Sequence, residues 1–201
     1  MSYSNFTLES VVTKFELEKT ESIGLFSEIE PITPSDYLTT GLAKKVPLAA
    51  AIGTEKARSE LIVADILVEL CEKFDYRISF FSGIDFNVDF ENDLTGVCDF
   101  LISLSPGQLF LEEPVIALVE AKNTDMKLGL GQCVAEMIAA QRFNQEKGND
   151  IPCVYGATTT GVDWQFLKLE EKNLQIDIAI YPIQQSDKIL GILSGMVNQS
   201  A

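Results

Sequence analysis

The sequence contains no histidine among its 201 residues. This absence excludes Ser-His-Asp and Cys-His triads, histidine-ligated zinc and an imidazole general base. Any catalysis must therefore use carboxylates, lysines, hydroxyls or thiols. Basic residues are also few, because 15 Lys and Arg stand against 30 Asp and Glu, for a formal net charge of −15. Since phosphate contacts need a basic surface, this balance argues against unaided, high-affinity binding to nucleic acid.

Cysteine is scarce, and none of the four residues forms a Cys-x-x-Cys pair. Cys71, Cys98 and Cys133 lie in mainly apolar runs, which predicts buried free thiols in a reducing compartment rather than disulfides or zinc ligands. No stretch reaches the ~18 uninterrupted apolar residues of a membrane span. The first residues lack the basic and apolar segments of a signal peptide. We therefore expect a soluble, cytoplasmic protein without membrane association.

The chain does have enough apolar material for one sizeable core. Hydrophobic residues make up 46% and charged residues 22%, as in ordinary packed domains. The length favours a single domain over residues 1–201. Within it we expect a helical N-terminal lead-in at 1–53, a core at 54–182 and a C-terminal helix at 183–201.

The hydrophobic pattern predicts helices on either side of a group of strands. The lead-in is expected to contain a helix over 8–17 and a short one that Ser35 caps and that ends at Leu42. Thr54 is predicted to be the N-cap of a long buried helix that reaches about residue 74. Strands are predicted at 77–89, 94–104, 114–121, 154–157, 164–169 and 176–181, and further helices at 128–147 and 186–197. The core order α-β-β-β-α-β-β is typical of an α/β domain in which helices flank a mixed central sheet.

Three charged residues occur where an apolar strand would normally exclude them. Asp99 lies within the predicted strand 94–104, and Glu120 and Lys122 lie at the end of strand 114–121. Residues i and i+2 share a strand face, so Glu120 and Lys122 point the same way. Because adjacent strands are ~4.8 Å apart, Asp99 and Glu120 can converge on one hard cation such as Mg²⁺, with Lys122 beside it. A structural ion pair between Lys122 and either carboxylate is the alternative, and the residues alone leave both open.

This arrangement resembles the PD-(D/E)xK nuclease superfamily, which has the restriction-endonuclease-like fold. The shared pattern is a helix, a strand, a strand with Asp, a strand ending in Glu-x-Lys, and another helix. The resemblance implies that Asp99 and Glu120 bind Mg²⁺ or Mn²⁺ together with the main-chain carbonyl of Ala121. It also implies that Lys122 is the third catalytic residue and positions the attacking water.

Two further residues match positions that many members of this superfamily use. Glu60 lies on the first core helix, where the resemblance implies that it assists a metal ion or a water. Gln132 lies on the helix after the Glu-x-Lys strand, where it would orient Lys122 or the substrate. Both have ordinary alternatives, since Glu60 can favour its helix through the macrodipole and Gln132 can be a solvated polar residue. Asn123 and Thr124 are expected to form a turn, with a contact to a substrate phosphate as the alternative.

A second stretch, residues 154–166, resembles the strand-turn-Trp strand of nuclease domains in the motor subunits of type I restriction enzymes. Trp164 itself is expected to be a core aromatic rather than a base-stacking platform. The resemblance extends over about residues 54–170. It departs from the superfamily where Cys98 replaces the proline before the Asp.

The resemblance therefore implies a Mg²⁺-dependent, endonuclease-like hydrolase that acts on DNA. Because residues 51–100 alone hold 11 acidic and 4 basic side chains, we expect weak DNA binding unless a basic partner brings the substrate. The alternatives are metal-dependent action on some other phosphate substrate and a non-catalytic or regulatory protein of the same fold that acts through a protein partner. The charge favours the second alternative, and the intact set of Asp99, Glu120 and Lys122 disfavours it. Symmetric dimers are common in the superfamily, so the resemblance also allows a homodimer.

Overall fold

A computed structural model describes residues 2–122, 125–149 and 151–200. Asn123 and Thr124, for which the sequence predicts a turn, lie outside the described residues. Within those ranges the strands are β1 (Glu18–Ser22), β2 (Ser79–Asp85), β3 (Val97–Ser103), β4 (Val115–Ala121), β5 (Val154–Thr159), β6 (Asp163–Glu170), β7 (Asn173–Asp177) and β8 (Tyr181–Pro182). The helices are α1 (Leu8–Lys14), α2 (Asp36–Ile52), α3 (Glu55–Arg58), α4 (Ala64–Lys73), α5 (Lys127–Glu146) and α6 (Ser186–Ser200).

The strands form one open, mixed sheet in the order β1-β7-β6-β5-β4-β3-β2, and β8 pairs beside β6. The β1–β7 and β4–β5 pairs are parallel, and the other pairs are antiparallel. Helix α5 connects β4 to β5, since two parallel neighbours need a crossover between them. This confirms the predicted α/β class, a mixed central sheet flanked by helices.

Helices cover both faces of the sheet. On one face α2, α4 and α6 pack against sheet residues such as Phe100 and Val119, and on the other α1 and α5 pack against residues such as Leu118 and Leu167. Each fully buried side chain of this size contributes roughly 1.5–3 kcal/mol to folding before entropy is counted. The candidate site lies between these two layers on β3 and β4, the second and third strands from the β2 edge of the sheet.

The predicted long helix begins as expected at Thr54, whose hydroxyl accepts the Ala57 N–H at 3.2 Å. Gly53 ends α2 just before it with a φ of 73°, a left-handed conformation that favours glycine. The helix is continuous through α3, a π-helical turn at Ser59–Val63 and α4. Such turns inside α-helices are frequent at functional sites, and this one contains Glu60.

The lead-in differs from its prediction in two places. Helix α2 continues beyond Leu42 to Ile52 and includes Pro47, and the buried Leu42 and Ala49 hold it against the core. Strand β1 was not predicted, because all five of its side chains are exposed and give no hydrophobic alternation. Backbone pairing with β7 holds β1 in place instead, and the pairing begins with Glu18 opposite Asn173. The lead-in therefore supplies an edge strand of the sheet as well as helices.

Two other expectations are settled by burial. All four cysteines are buried and free, which confirms the prediction for the thiols. Trp164 is fully buried and stacks with Phe166 at a ring-centroid distance of 6.2 Å, so it is a core aromatic. Over the described ranges, none of the helices combines the length and the apolar character needed to cross a membrane.

Candidate functional site

The β3–β4 pair brings Asp99 to the end of the Glu-x-Lys strand. The last backbone pair of this ladder joins Phe100 to Val119. Asp99 and Glu120 are the next residues along the two antiparallel strands. Beyond that pair the Asp99 carboxylate takes the place of a ladder acceptor, since its Oδ2 accepts the Ala121 N–H at 2.9 Å. This hydrogen bond holds the half-buried Asp99 against β4, as the predicted strand pairing requires.

Glu120 and Lys122 form a partly buried ion pair. The Glu120 side chain is 1% exposed and that of Lys122 is 21% exposed. The Lys122 ammonium donates to Glu120 Oε1, whereas Glu120 Oε2 is buried without a partner among the described residues. The ion pair that the sequence left open is therefore present, but it satisfies only one of the two carboxylate oxygens. A buried oxygen without a partner is costly and calls for a ligand or a proton.

Asp99, Glu120 and Lys122 form a cluster in which two carboxyl groups face one ammonium, so its charges do not balance. Burial, followed by the charge of Asp99, raises the pKa of Glu120 to about 8, although Lys122 opposes both effects. Burial alone would lower the pKa of Lys122, but Glu120, Asp99 and Glu55 together raise it. Lys122 is therefore an ammonium at neutral pH, a hydrogen-bond donor and a positive charge rather than a general base. Ionised Glu120 needs more positive charge than Lys122 supplies.

Gln132 and Glu136 extend the cluster into α5. Gln132 Oε1 accepts from Lys122 Nζ at 3.4 Å, and Gln132 Nε2 donates to Glu136 Oε1 at 3.0 Å. Gln132 is thus held on both sides and is not an ordinary solvated residue. Glu136 is fully buried, and burial followed by the charge of Glu120 raises its pKa well above the usual range. The sequence did contain a signal for Glu136, a carboxylate in an otherwise apolar helical stretch.

The first core helix contributes two acidic residues beside Asp99. A cleft of about 340 Å³ is lined by Glu55, Lys56, Ser59, Glu60, Ser82, Gly83, Asp99 and Phe100. The Glu60 side chain is 63% exposed, and its ion-pair partner is Lys56 at 3.7 Å. Glu55 lies about one turn earlier, and its charge, like that of Asp99, raises the pKa of both Glu120 and Lys122. The sequence pattern alone did not single out Glu55, because its place in the first turn also suits the helix dipole.

The donors of the cluster fit a hard divalent cation. Asp99 and Glu120 provide carboxylate oxygens, the ligands that Mg²⁺ prefers. Thr158 lies opposite Glu120 on β5. Its hydroxyl and Glu120 Oε2 are both buried and find no partner in the part of the chain that the structure describes. No three Asp, Glu or Cys side chains within residues 2–122, 125–149 and 151–200 are already arranged to hold a metal ion. A third ligand would therefore be a main-chain carbonyl such as that of Ala121, or Glu60 after its side chain turns.

Comparison of the sequence with protein-family models found no match, and comparison with curated proteins found none either. The function is therefore inferred from the residues of the site. Of the predicted catalytic residues, the structure brings together Asp99, Glu120, Lys122 and Gln132. It places Glu60 on the rim of the cleft that Asp99 also lines.

Proposed function

We propose that the protein is a metal-dependent phosphodiesterase of the PD-(D/E)xK type, an endonuclease-like hydrolase that acts on DNA. The observation that carries this proposal is the buried Glu120, which lies beside Asp99 and pairs with Lys122 through only one oxygen. A purely structural ion pair at this depth would be expected to satisfy both carboxylate oxygens. The arrangement instead leaves one oxygen for another ligand.

The order of elements supports the finer assignment to the restriction-endonuclease-like fold. The first core helix is followed by β2, β3 and β4, then by α5 and the strands β5 and β6. Asp99 lies on the second of these core strands, and Glu120 and Lys122 lie at the end of the third. This is the order that the superfamily pattern requires.

Each residue of the cluster has a chemical role in this proposal. Asp99, Glu120 and the main-chain carbonyl of Ala121 would hold Mg²⁺ or Mn²⁺, with Glu60 assisting from the cleft rim. When bound, such an ion polarises a phosphoryl oxygen and lowers the pKa of a water. Lys122 would donate its hydrogen bonds to the attacking water and stabilise negative charge that builds on the phosphoryl oxygen.

Gln132 would keep Lys122 in place during these changes. Its Oε1 accepts from the Lys122 ammonium independently of Glu120. The ammonium therefore retains an acceptor when Glu120 turns towards another ligand. The net charge of −15 still predicts weak and salt-sensitive DNA binding, or a basic partner that delivers the substrate.

A non-catalytic protein that acts through a protein partner is the second candidate. The acidic charge favours it, and so does an exposed apolar loop between β3 and β4. In that loop Leu109 is 97% exposed and Phe110 is 66% exposed. Metal binding distinguishes the two candidates, because a partner-binding protein has no need of a cation at Asp99 and Glu120.

We expect metal binding to be linked to proton release. Because Glu120 has a pKa of about 8 and must ionise to bind a cation, affinity should rise as the pH increases towards 8 and level off above it. One displaced proton corresponds to about a tenfold gain in affinity per pH unit. Calorimetric titration with MnCl₂ at about pH 6.5, 7.5 and 8.5, in buffers of different ionisation enthalpy, measures both quantities. Glu120→Gln should abolish binding, and the exposed Glu170→Gln should not.

The opposite results would be equally informative. If the folded protein binds neither Mn²⁺ nor Mg²⁺ at any of these pH values, the partner-binding candidate is favoured over the enzyme. If it binds without a pH dependence, Glu120 is not the residue that gives up a proton.

Gly129 allows α5 to approach the Glu-x-Lys strand closely. A Cβ at this position would lie 3.0 Å from Lys122 Cγ and 3.3 Å from Glu120 Cγ. Gly129→Ala should therefore displace Lys122 and lower the cleavage rate about tenfold. Gly41→Ala in α2 is the matched control, since its Cβ would make an ordinary contact of 3.5 Å to Asp65 and should add about 0.5–1 kcal/mol of stability. Cleavage and thermal unfolding of both variants measure this, and equal cleavage by the two would contradict the expected displacement.

A further inference from the structure

The proposed reaction makes no use of Glu136, the most deeply buried carboxyl of the cluster. Its side chain is fully buried on α5, between the equally buried Ala135 and Met137. Its Oε1 accepts from Gln132 Nε2 at 3.0 Å, and its Oε2 is buried without a partner among the described residues. A methionine would fill similar space without the cost of burying a carboxyl, which amounts to several kcal/mol unless the group is neutral or paired. Packing alone therefore does not explain why a carboxyl group is present at this position.

The hydrogen bond that Glu136 accepts settles the direction of the Gln132 amide. An amide group has an acceptor oxygen and a donor nitrogen of nearly the same shape, and it can turn by about 180°. The Lys122 ammonium can only donate, so it needs Gln132 Oε1 on its side. If Nε2 faced Lys122 instead, two donors would meet. The Glu136 oxygen accepts from Nε2 and so favours the productive direction.

We propose that Glu136 is a positioning residue that locks the Gln132 amide with Oε1 towards Lys122, and so holds the catalytic ammonium in place. The catalytic part of this inference rests on the proposed function. The direction of the amide is a property of the chain itself and is measurable without metal or DNA.

The charges around Glu136 agree with this role. Burial is the largest influence on the pKa of Glu136 and raises it well above the usual range, as do the charges of Glu120 and Asp99. The hydrogen bond from Gln132 and the charge of Lys122 lower it. Burial therefore favours the neutral carboxyl, and the hydrogen bond from Gln132 favours the charged one. An ionised carboxyl can only accept and so requires Gln132 Nε2 on its side, and a neutral carboxyl keeps an oxygen that accepts the same hydrogen bond.

Two variants of Glu136 separate positioning from packing. Glu136→Met keeps the volume and removes the acceptor, whereas Glu136→Gln keeps an oxygen that can accept from Gln132. The first readout is the ¹⁵N–¹H spectrum of the Gln132 side-chain amide, assigned with Gln132→Met. In the parent and in Glu136→Gln, we expect the two Gln132 amide protons to give separate signals and to exchange slowly with solvent. In Glu136→Met, their hydrogen exchange with solvent should be at least about tenfold faster.

The second readout is Mn²⁺-dependent DNA cleavage. Glu136→Met should lower kcat about tenfold to a hundredfold with little change in KM, because a misplaced catalytic group costs rate rather than binding. Glu136→Gln should stay within about twofold of the parent. Gln132→Met should lower kcat as much as Glu136→Met does. The double variant should lower kcat no further, since the two residues act through one chain of hydrogen bonds. Thermal unfolding of each variant checks that the fold is kept.

Several results would overturn the inference. Unchanged amide exchange in Glu136→Met, equal loss of cleavage in Glu136→Gln and Glu136→Met, or additive losses in the double variant each exclude positioning through Gln132. If Glu136→Met does not fold, the comparison of Gln132→Met with Glu136→Gln decides, and a Glu136→Gln variant as slow as Gln132→Met excludes it. A folded parent that does not cut DNA overturns the proposed function and the catalytic part with it, while the amide spectra alone still decide whether Glu136 fixes Gln132.

Discussion

Replacing Lys122 by alanine should reduce metal-dependent DNA cleavage by about a hundredfold or more while the fold is retained. The ammonium is charged at neutral pH because the surrounding carboxylates raise its pKa, so its loss removes a positive charge from the reacting phosphoryl group. The fold should survive because Glu120, left without its partner, already has a pKa of about 8 and can take up a proton. Single-turnover cleavage and thermal unfolding of the variant measure the two effects.

The matched control is Lys127→Ala. Lys127 is an exposed lysine in the first turn of α5, close in sequence to the cluster but without a contact to Glu120 among the described residues. Its replacement should leave the cleavage rate within about twofold of the parent. A Lys122→Ala variant that cuts as well as Lys127→Ala would show that the Glu120–Lys122 pair is structural.

The largest loss of stability is expected from Asp177→Ala. Asp177 is fully buried, and its two oxygens accept from the N–H groups of Gly24 and Ala179 at 2.9 Å, from that of Phe26 at 3.4 Å and from the Tyr181 hydroxyl at 2.8 Å. These bonds join the segment after β1 to the strands β7 and β8. Because alanine would leave four donors without their acceptor, the free energy of unfolding should fall by about 3–5 kcal/mol.

Urea unfolding followed by circular dichroism measures this loss. Glu21→Ala on β1 is the control, since Glu21 is exposed and its replacement should change the free energy of unfolding by less than about 0.5 kcal/mol. A loss below about 1 kcal/mol for Asp177→Ala would mean that these hydrogen bonds contribute little to stability.

The elements that carry the site were predictable because their patterns are local. The apolar run before Glu120 and the charge at Asp99 identify two strands, and the period of two places Glu120 and Lys122 on one face. The cap at Thr54 follows from its hydroxyl and from the apolar helix after it. These features depend on residues close together in the chain, so the sequence reveals them.

The remaining features depend on contacts between distant residues. Strand β1 is polar throughout and exists through its pairing with β7, which no local pattern announces. Glu55 and Glu136 reach the cluster only because their helices pack against β3, β4 and β5. Asp177 looks like a surface carboxylate in the sequence, and its burial follows from the return of the segment after β1. The pairing of strands and the packing of helices therefore determine the features that the hydrophobic periodicity of the sequence does not predict.

The most direct test of the metal-dependent centre is a plasmid nicking assay with the parent protein and Asp99→Asn. Asparagine can still accept the Ala121 N–H through its side-chain oxygen, so this variant should keep the local fold while losing a charged metal ligand. We expect the parent to convert supercoiled plasmid into nicked or linear DNA with Mg²⁺ or Mn²⁺ near pH 8, and neither the parent with EDTA nor Asp99→Asn with metal to do so. Equal nicking by parent and variant, or no metal-dependent nicking by the folded parent, would contradict the account.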